Sequence, residues 1–462
     1  MRNLLNTYKT HYKDTIRIAT PVVISQAGQN LTNIVDNMMV GHYNTVDLAG
    51  AGFANSLFAI FLVFGIGFAV GVTPLVGKAY GQRDFKEMGS LFKHSMTLNA
   101  LFCVFLVVVL LTLSTLMDYM GQTPEVVDAA RPYLLINTFS LVPLMLFFTA
   151  KQFAEGVKYT KVAMYFTLSA NIINFCLNYV LIYGKFGAPE LGLTGAGIGT
   201  LVSRIVGGVG MMIYVLNSKH FHRYLENFKT TKIHASKLLQ QLKMSLPIGL
   251  QALMEVGAFA VGAMIVGSVG TQPMAAHQIV MSMISLTFMM VSGVASAVSV
   301  RVSNFYGEGN WQQARLAGFT GMQFALLAMS ISAVTFLVFN EFLPSLFTED
   351  VEVIQFAASM LFFAALFQLS DGAQVIMTGA LRGISDVKVP TFICFISYWV
   401  VSLPLGFVLT HYTEWSFLGV WIGLSTGLTL SAILLFSRFT LRTNQELNKK
   451  KVDQEALVKS NA

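Results

Sequence analysis

Three carboxylates in this chain sit where carboxylates are expensive. Asp36, Glu255 and Asp371 all fall inside long apolar stretches. Each has amides beside it at helical spacing. Gln26, Gln29, Asn33 and Asp36 fall at i, i+3, i+7 and i+10, which is one face of a helix. Gln251 precedes Glu255 by one turn, and Asp371 stands between Gln368 and Gln374 at three-residue steps. A further face, Asn171, Asn174 and Asn178, repeats the pattern without an acid. At the centre of a bilayer a charged side chain costs roughly 2.5–3.5 kcal/mol on insertion scales. Polar stripes of this kind must therefore face protein or a wet cavity, never lipid. A carboxylate held there can take up and release a proton, ligate sodium, or attract an organic cation. It can also do no more than tie helices together. With three acids on amide-rich faces, function is the favoured reading, but residue type alone does not separate these roles.

The elements that must position these acids are membrane spans. Of the 462 residues, 54% are hydrophobic and only 11% are charged, with a mean hydropathy of +0.62. Soluble domains carry about 25% charged residues. Twelve spans are expected, near 14–41, 47–77, 94–117, 130–150, 162–184, 193–216, 244–269, 274–300, 316–347, 353–379, 389–410 and 417–437. The segments between them alternate in Lys and Arg content. Lys78 and Arg83, Lys151 and Lys158, Arg301 and Arg315, and Arg382 and Lys388 mark one set, together with both termini and the long middle loop. The other loops hold one lysine, Lys185, beside acids such as Asp118 and Glu349. By the positive-inside rule both termini are cytoplasmic and the span count is even. The net charge of +7 thus reports orientation, and no nucleic-acid partner is expected. Cys103, Cys176 and Cys394 are scattered through apolar segments and read as buried thiols without metal spacing. No cleavable leader is expected, because the first apolar run is long enough to span.

The chain also repeats itself. An offset of 226 residues aligns Pro21 with Pro247, Gly41 with Gly267, Ser56 with Ser282, Gly67 with Gly293, and Tyr80-Gly81 with Tyr306-Gly307. At nearby offsets Gly156 and Lys161 meet Gly383 and Lys388, and Gly195 and Gly199 meet Gly419 and Gly423. Two parallel six-helix halves follow, a build in which transporters bind substrate between the halves and rock to alternate access. The expected division is an N-terminal lobe over 1–216, a cytoplasmic linker over 217–240, a C-terminal lobe over 241–440 and a cytoplasmic tail over 441–462. His220, His222 and His234 in the linker read as solvated residues of an interfacial segment rather than as a metal site. His277 reads as a packing or capping residue at the start of its helix.

Several stretches carry a resemblance. They are "NIVDNMMVGHYNTVDLAGAG" in the first two spans, "GKAYGQRD" after the second, "AAHQI" opening the eighth, "NFYGEGN" after it, and "ALRGISDVKVP" after the tenth. In this order, within a 6+6 repeat, they resemble the multidrug and toxic compound extrusion (MATE) family, NorM branch, over nearly the whole length. The resemblance implies an all-α integral membrane protein, with twelve transmembrane helices in two pseudo-symmetric lobes forming a V around a central cavity. It implies a secondary antiporter in the bacterial inner membrane that exports cationic, amphipathic drugs and dyes in exchange for Na+ or H+. Its partners would be small organic cations and the lipid bilayer, the chain a monomer, and no cofactor is needed beyond the coupling ion.

Carried over by position, the N-lobe acid is Asp36, with Asn174 and Asn178 as polar neighbours; helical spacing adds Gln29 and Asn33 as supporting groups. The C-lobe cation site is Glu255 and Asp371, which would ligate Na+ in a sodium-coupled protein, and helical spacing adds Gln251, Gln368 and Gln374 as supporting amides. Tyrosines are expected beside that site, but the candidate positions read Phe288 and Phe367. Their rings keep an attraction for cations, while a hydroxyl ligand is lost. Asn178 stands where some relatives carry an aspartate. The alternative, a lipid-linked precursor flippase of related fold, would need a cavity lined with Arg or Lys, and Arg204 is the one deep cation. An enzyme is not expected, since no HExxH or comparable metal pattern occurs, and without a GxxxxGK[ST] phosphate loop ATP-driven transport is not expected either.

Overall fold

In a computed structural model residues 2–460 are described, and no strand occurs among them. The all-α expectation stands. Eleven helical runs are long and apolar enough to cross a membrane. The long helix outside that set is α1 (Arg2–Tyr43). Its 42 residues exceed the roughly 20 that a span needs, but the stripe of Gln26, Gln29, Asn33 and Asp36 lowers its hydropathy. The chain is a multi-pass membrane protein, and α1 completes the expected twelve.

After α1 the first half continues through α2 (Thr45–Val70), α3 (Val72–Gly81), α4 (Phe85–Thr115), α5 (Pro124–Gly156), α6 (Thr160–Ile182) and α7 (Gly192–Asn217). A short helix, α8 (Lys219–His222), opens the middle segment. The second half holds α9 (Ala235–Gly267), α10 (Thr271–Gly307), α11 (Trp311–Val338), the short α12 (Phe342–Ser345) and α13 (Val351–Gly383). It ends with α14 (Lys388–Phe395), a π-helical stretch over Ile396–Ser402, α15 (Leu403–Tyr412) and α16 (Leu418–Ser460). The expected tail is thus a continuation of α16, and its last residues, 461–462, lie outside the described residues.

Two compact units result, one of residues 24–253 and the other of residues 1–23 with 254–462. The division falls inside α1 and α9, the opening helices of the two halves, and not in the linker. Pro21 and Pro247, partners in the repeat, lie within these helices close to the division. Proline inside a helix removes a backbone hydrogen bond and weakens the turn before it. The start of α1 is tied to α10 by Arg301, which is buried. Its guanidinium donates to the His11 carbonyl at 2.9 Å, to Thr15 Oγ1 at 2.6 Å and to His11 Nδ1 at 2.6 Å. Because arginine only donates, Nδ1 accepts, and Nε2 carries the proton given to Gln313 Oε1 at 2.7 Å.

The middle segment lies against α4. Lys93 Nζ donates to the Thr231 carbonyl at 2.8 Å, the His234 amide donates to His94 Nε2 at 3.0 Å, and Lys237 pairs with Glu87 at 2.6 Å. Phe221 is fully buried there. Cys103 and Cys394 are buried as expected, but Cys176 is exposed. It sits two residues from both Asn174 and Asn178, on the opposite face of α6, so the asparagines take the protein side and the thiol takes the other.

The repeat extends to single dihedral angles. Arg83 and Gly309, one offset apart, both adopt the left-handed region, with φ of 58° and 69°. Each is followed by a helix-capping side chain. Asp84 accepts from the Glu87 amide at 2.9 Å, and Asn310 accepts from the Gln313 amide at 3.2 Å. A second pair, Lys158 and Ser385, has φ of 64° and 62°. The matched glycines share a role as well. A Cβ on Gly195 would stand 2.6 Å from the Leu181 carbonyl oxygen, and one on Gly419 would stand 2.5 Å from the Thr410 amide nitrogen. Gly52, in contrast, has nothing within 4 Å of that position. Gly195→Ala and Gly419→Ala are each expected to destabilise the protein by about 1–3 kcal/mol, since backbone atoms cannot yield. Gly52→Ala should not, and thermal unfolding of the three purified variants in one detergent checks this.

Candidate functional site

Each unit holds one cluster built around an intramembrane carboxylate. In the unit of residues 24–253, the helical period brings the α1 stripe opposite the asparagine face of α6. Asn178 Nδ2 donates to Asp36 Oδ1 at 2.7 Å, and to Asn174 Oδ1 at 3.3 Å. Asn174 Nδ2 in turn donates to Thr200 Oγ1 on α7 at 3.2 Å. The approach of α6 to α7 depends on Gly199, because a Cβ there would fall on the Asn178 side-chain oxygen. Asp36, Gln29, Asn33, Asn171, Asn174, Thr200 and Arg204 line a cavity of about 160 Å³. Asn171 Nδ2 and Asn178 Oδ1 are buried without a hydrogen-bond partner among the described residues. The Asn171 nitrogen, on the lining of a polar cavity, suits ordered water or a polar ligand.

In the other unit Glu255, on α9, accepts from two groups. Tyr398 OH reaches Glu255 Oε1 at 3.4 Å, and Gln374 Nε2 reaches it at 3.3 Å. Tyr398 OH also donates to Gln374 Oε1 at 2.7 Å, the shorter of its two contacts. Asp371, one turn before Gln374 on α13, is 2% exposed, and its Oδ2 has no partner among the described residues. Its charge and that of Glu255 act on one another, and so do those of Glu255 and Arg382. A carboxylate oxygen left free in such a place can take up a proton or a cation.

The remaining predicted residues separate. Gln368 turns to α10, where its Nε2 donates to Thr287 Oγ1 at 2.8 Å. Phe367 is buried between Phe259 and Trp421, at centroid distances of 6.0 and 6.3 Å, and Phe259 in turn meets Tyr398 at 6.3 Å. Phe288 is 37% exposed and has no ring partner among the described residues. Gln251 is buried on α9 but belongs to the unit of residues 24–253. His277 packs on the Trp421 ring at 5.3 Å, while Gly270 stands at the cap, so packing is its role.

Two groups escaped the sequence reading. Tyr398 supplies a hydroxyl beside Glu255 from the π-helical stretch, whose wider turns often mark functional positions. A lone tyrosine in "ISYWVVS" was the only signal. Arg382, read as a loop cation, is placed where its charge reaches Glu255.

The MatE family model matches this chain twice, over residues 21–180 and 247–408, one match for each half of the repeat. This chain belongs to the MATE family. A probable multidrug resistance protein NorM of Xylella fastidiosa (strain 9a5c) is 31% identical over 437 residues, covering 94% of this chain and 93% of that one. The multidrug resistance protein NorM of Photobacterium profundum is 30% identical, covering 94% and 96%. The MATE fold is equally clear in solved structures. A MATE protein in a bent conformation superposes with a TM-score of 0.88 at 20% identity, covering 97% of this chain and 99% of that one. A eukaryotic MATE transporter does so with a TM-score of 0.85 at 19% identity, covering 96% and 99%. On this MATE scaffold Tyr398→Phe keeps the ring but leaves Gln374 Oε1 without its donor, at a cost of about 1–3 kcal/mol. A melting temperature equal to that of the unmodified protein would show that the hydroxyl makes no such bond.

Proposed function

We propose that this protein is a secondary active antiporter that exports cationic, amphipathic drugs and dyes in exchange for Na+ or H+. The observation that carries this reading is the presence, in each unit, of an intramembrane carboxylate held by neutral donors. Asp36 accepts from Asn178, and Glu255 accepts from Tyr398 and Gln374. Neutral donors stabilise a carboxylate without cancelling its charge, so it remains available to a cation. The names of the relatives, multidrug resistance proteins, support export of many compounds. The reading is of a transporter in the bacterial inner membrane, not of an enzyme, monomeric and with both termini cytoplasmic.

Glu255 and Asp371 are the proposed coupling-ion ligands. The unpartnered Asp371 Oδ2 suits either a sodium ion or a proton shared with Glu255. Substrate and coupling ion would compete for the acids in two alternating states, since a ligand shifts a conformational equilibrium only by binding one state better. Aromatic and methionine side chains supply an adaptable apolar surface. The flippase alternative receives less support, because a site for a pyrophosphate needs several cations where one carboxylate-lined cavity holds one, Arg204.

Ethidium export by protein in liposomes, under a sodium gradient and a pH gradient imposed separately, tests the reading. Movement under one gradient alone identifies the ion. Asp371→Asn is expected to abolish coupled export while the protein still inserts and remains monodisperse. Undiminished export by that variant removes Asp371 from coupling, and no movement of ethidium by the unmodified protein under either gradient removes the drug-export reading.

A further inference from the structure

The cavity beside Asp36 has two charged lining residues, Asp36 and Arg204. Each is held by a neutral partner: Asn178 Nδ2 donates to Asp36 at 2.7 Å, and Arg204 Nη1 donates to Ser140 Oγ at 2.5 Å. The Phe58 ring lies 5.4 Å from the guanidinium centre and backs it from one side. The two charges act on one another. Yet no nitrogen of Arg204 lies within 4.0 Å of an Asp36 oxygen, so they form no ion pair. A guanidinium carries several N–H donors in a rigid fork. Ser140 takes one of them, and Arg204 makes no other hydrogen bond among the described residues. Opposite charges that share a cavity without closing on each other leave a gap with a fixed polarity.

We propose that this cavity is a two-charge site for the head group of an amphipathic zwitterion. Asp36 receives the cationic group and Arg204 receives a carboxylate. This rests on the reading of the chain as an exporter of amphipathic molecules and narrows what that site accepts. A planar fork matches a carboxylate's two oxygens in a way that a lone ammonium does not. Leu62, Ile66, Phe147 and Phe148, which line the same space, cover the apolar body of the head group. The volume of about 160 Å³ is below the roughly 300–1,000 Å³ of a pocket enclosing a whole drug-sized ligand. The rest of the molecule therefore projects beyond it. A cation lacking the anionic group meets Arg204 as an unmatched like charge, so esterifying the carboxylate weakens binding.

Rhodamine 110, with its free benzoate, and rhodamine 123, its methyl ester, are a matched pair of probes. Fluorescence polarisation titrations with the purified full-length protein read both affinities. The unmodified protein is expected to bind rhodamine 110 more tightly, by about tenfold, the scale of a hydrogen bond to a charged group. Arg204→Gln removes that preference, and Arg204→Lys, which keeps the charge but loses the fork, retains only part of it. Equal affinities in the unmodified protein, a result that needs no variant to fold, overturn the proposal. So does a preference that survives Arg204→Gln. Binding of neither dye, with no ethidium export, overturns the exporter reading as well.

Discussion

A carboxylate inside a bilayer persists only where the protein itself supplies the hydrogen bonds that water would make. Much of the architecture of both units answers that demand. In one unit the Asn178 amide must reach Asp36, which requires an asparagine face on α6 turned toward α1. It also requires a glycine, Gly199, where α7 would otherwise fill the space of that amide. In the other unit Tyr398 and Gln374 converge on Glu255, and the π-helical stretch presents the tyrosine to them. None of these donors carries a charge, so they stabilise the acids without neutralising them.

The repeat separates scaffold from chemistry. The turns at Arg83 and Gly309 agree in backbone sign, in cap and in position, and the close helix contacts at Gly195 and Gly419 agree as well. These are demands of chain geometry, the same in both halves. The acids do not correspond. The offset of 226 residues places Glu255 on Gln29 and Asp36 on Gly262. Gln29 lines the cavity of its own unit, so the matched position keeps a polar group while its charge differs. Equivalent helices thus build two unlike sites: an acid with an arginine on the wall of the same cavity, and an acid held by a tyrosine and a glutamine within reach of the charge of Arg382.

Arg204 gives the first site its polarity. A single buried cation would cancel a single acid if the two closed into an ion pair. Held instead by Ser140 and backed by Phe58, it leaves both charges to the cavity. The low dielectric of such a setting strengthens whatever each charge meets, so selection by charge pattern can operate with few contacts.

Periodicity and charge determined a good deal without any tertiary information. The spans, their alternating flanks, the repeat and the polar faces of α1 and α6 follow from local spacing, because side-chain direction in a helix is set by a fixed angle per residue. The same reasoning picked out Asp36, Asn174, Asn178, Glu255, Asp371 and Gln374 as residues to watch. Which of them touch was decided elsewhere. Asn178 meets Asp36 across 142 positions, and Tyr398 meets Glu255 across 143. Gln368, equally promising by spacing, instead bonds Thr287. The passage of α1 and α9 from one compact unit into the other likewise has no local mark beyond Pro21 and Pro247. Spacing along a helix says which side chains share a face. Only the packing of distant helices says what that face meets.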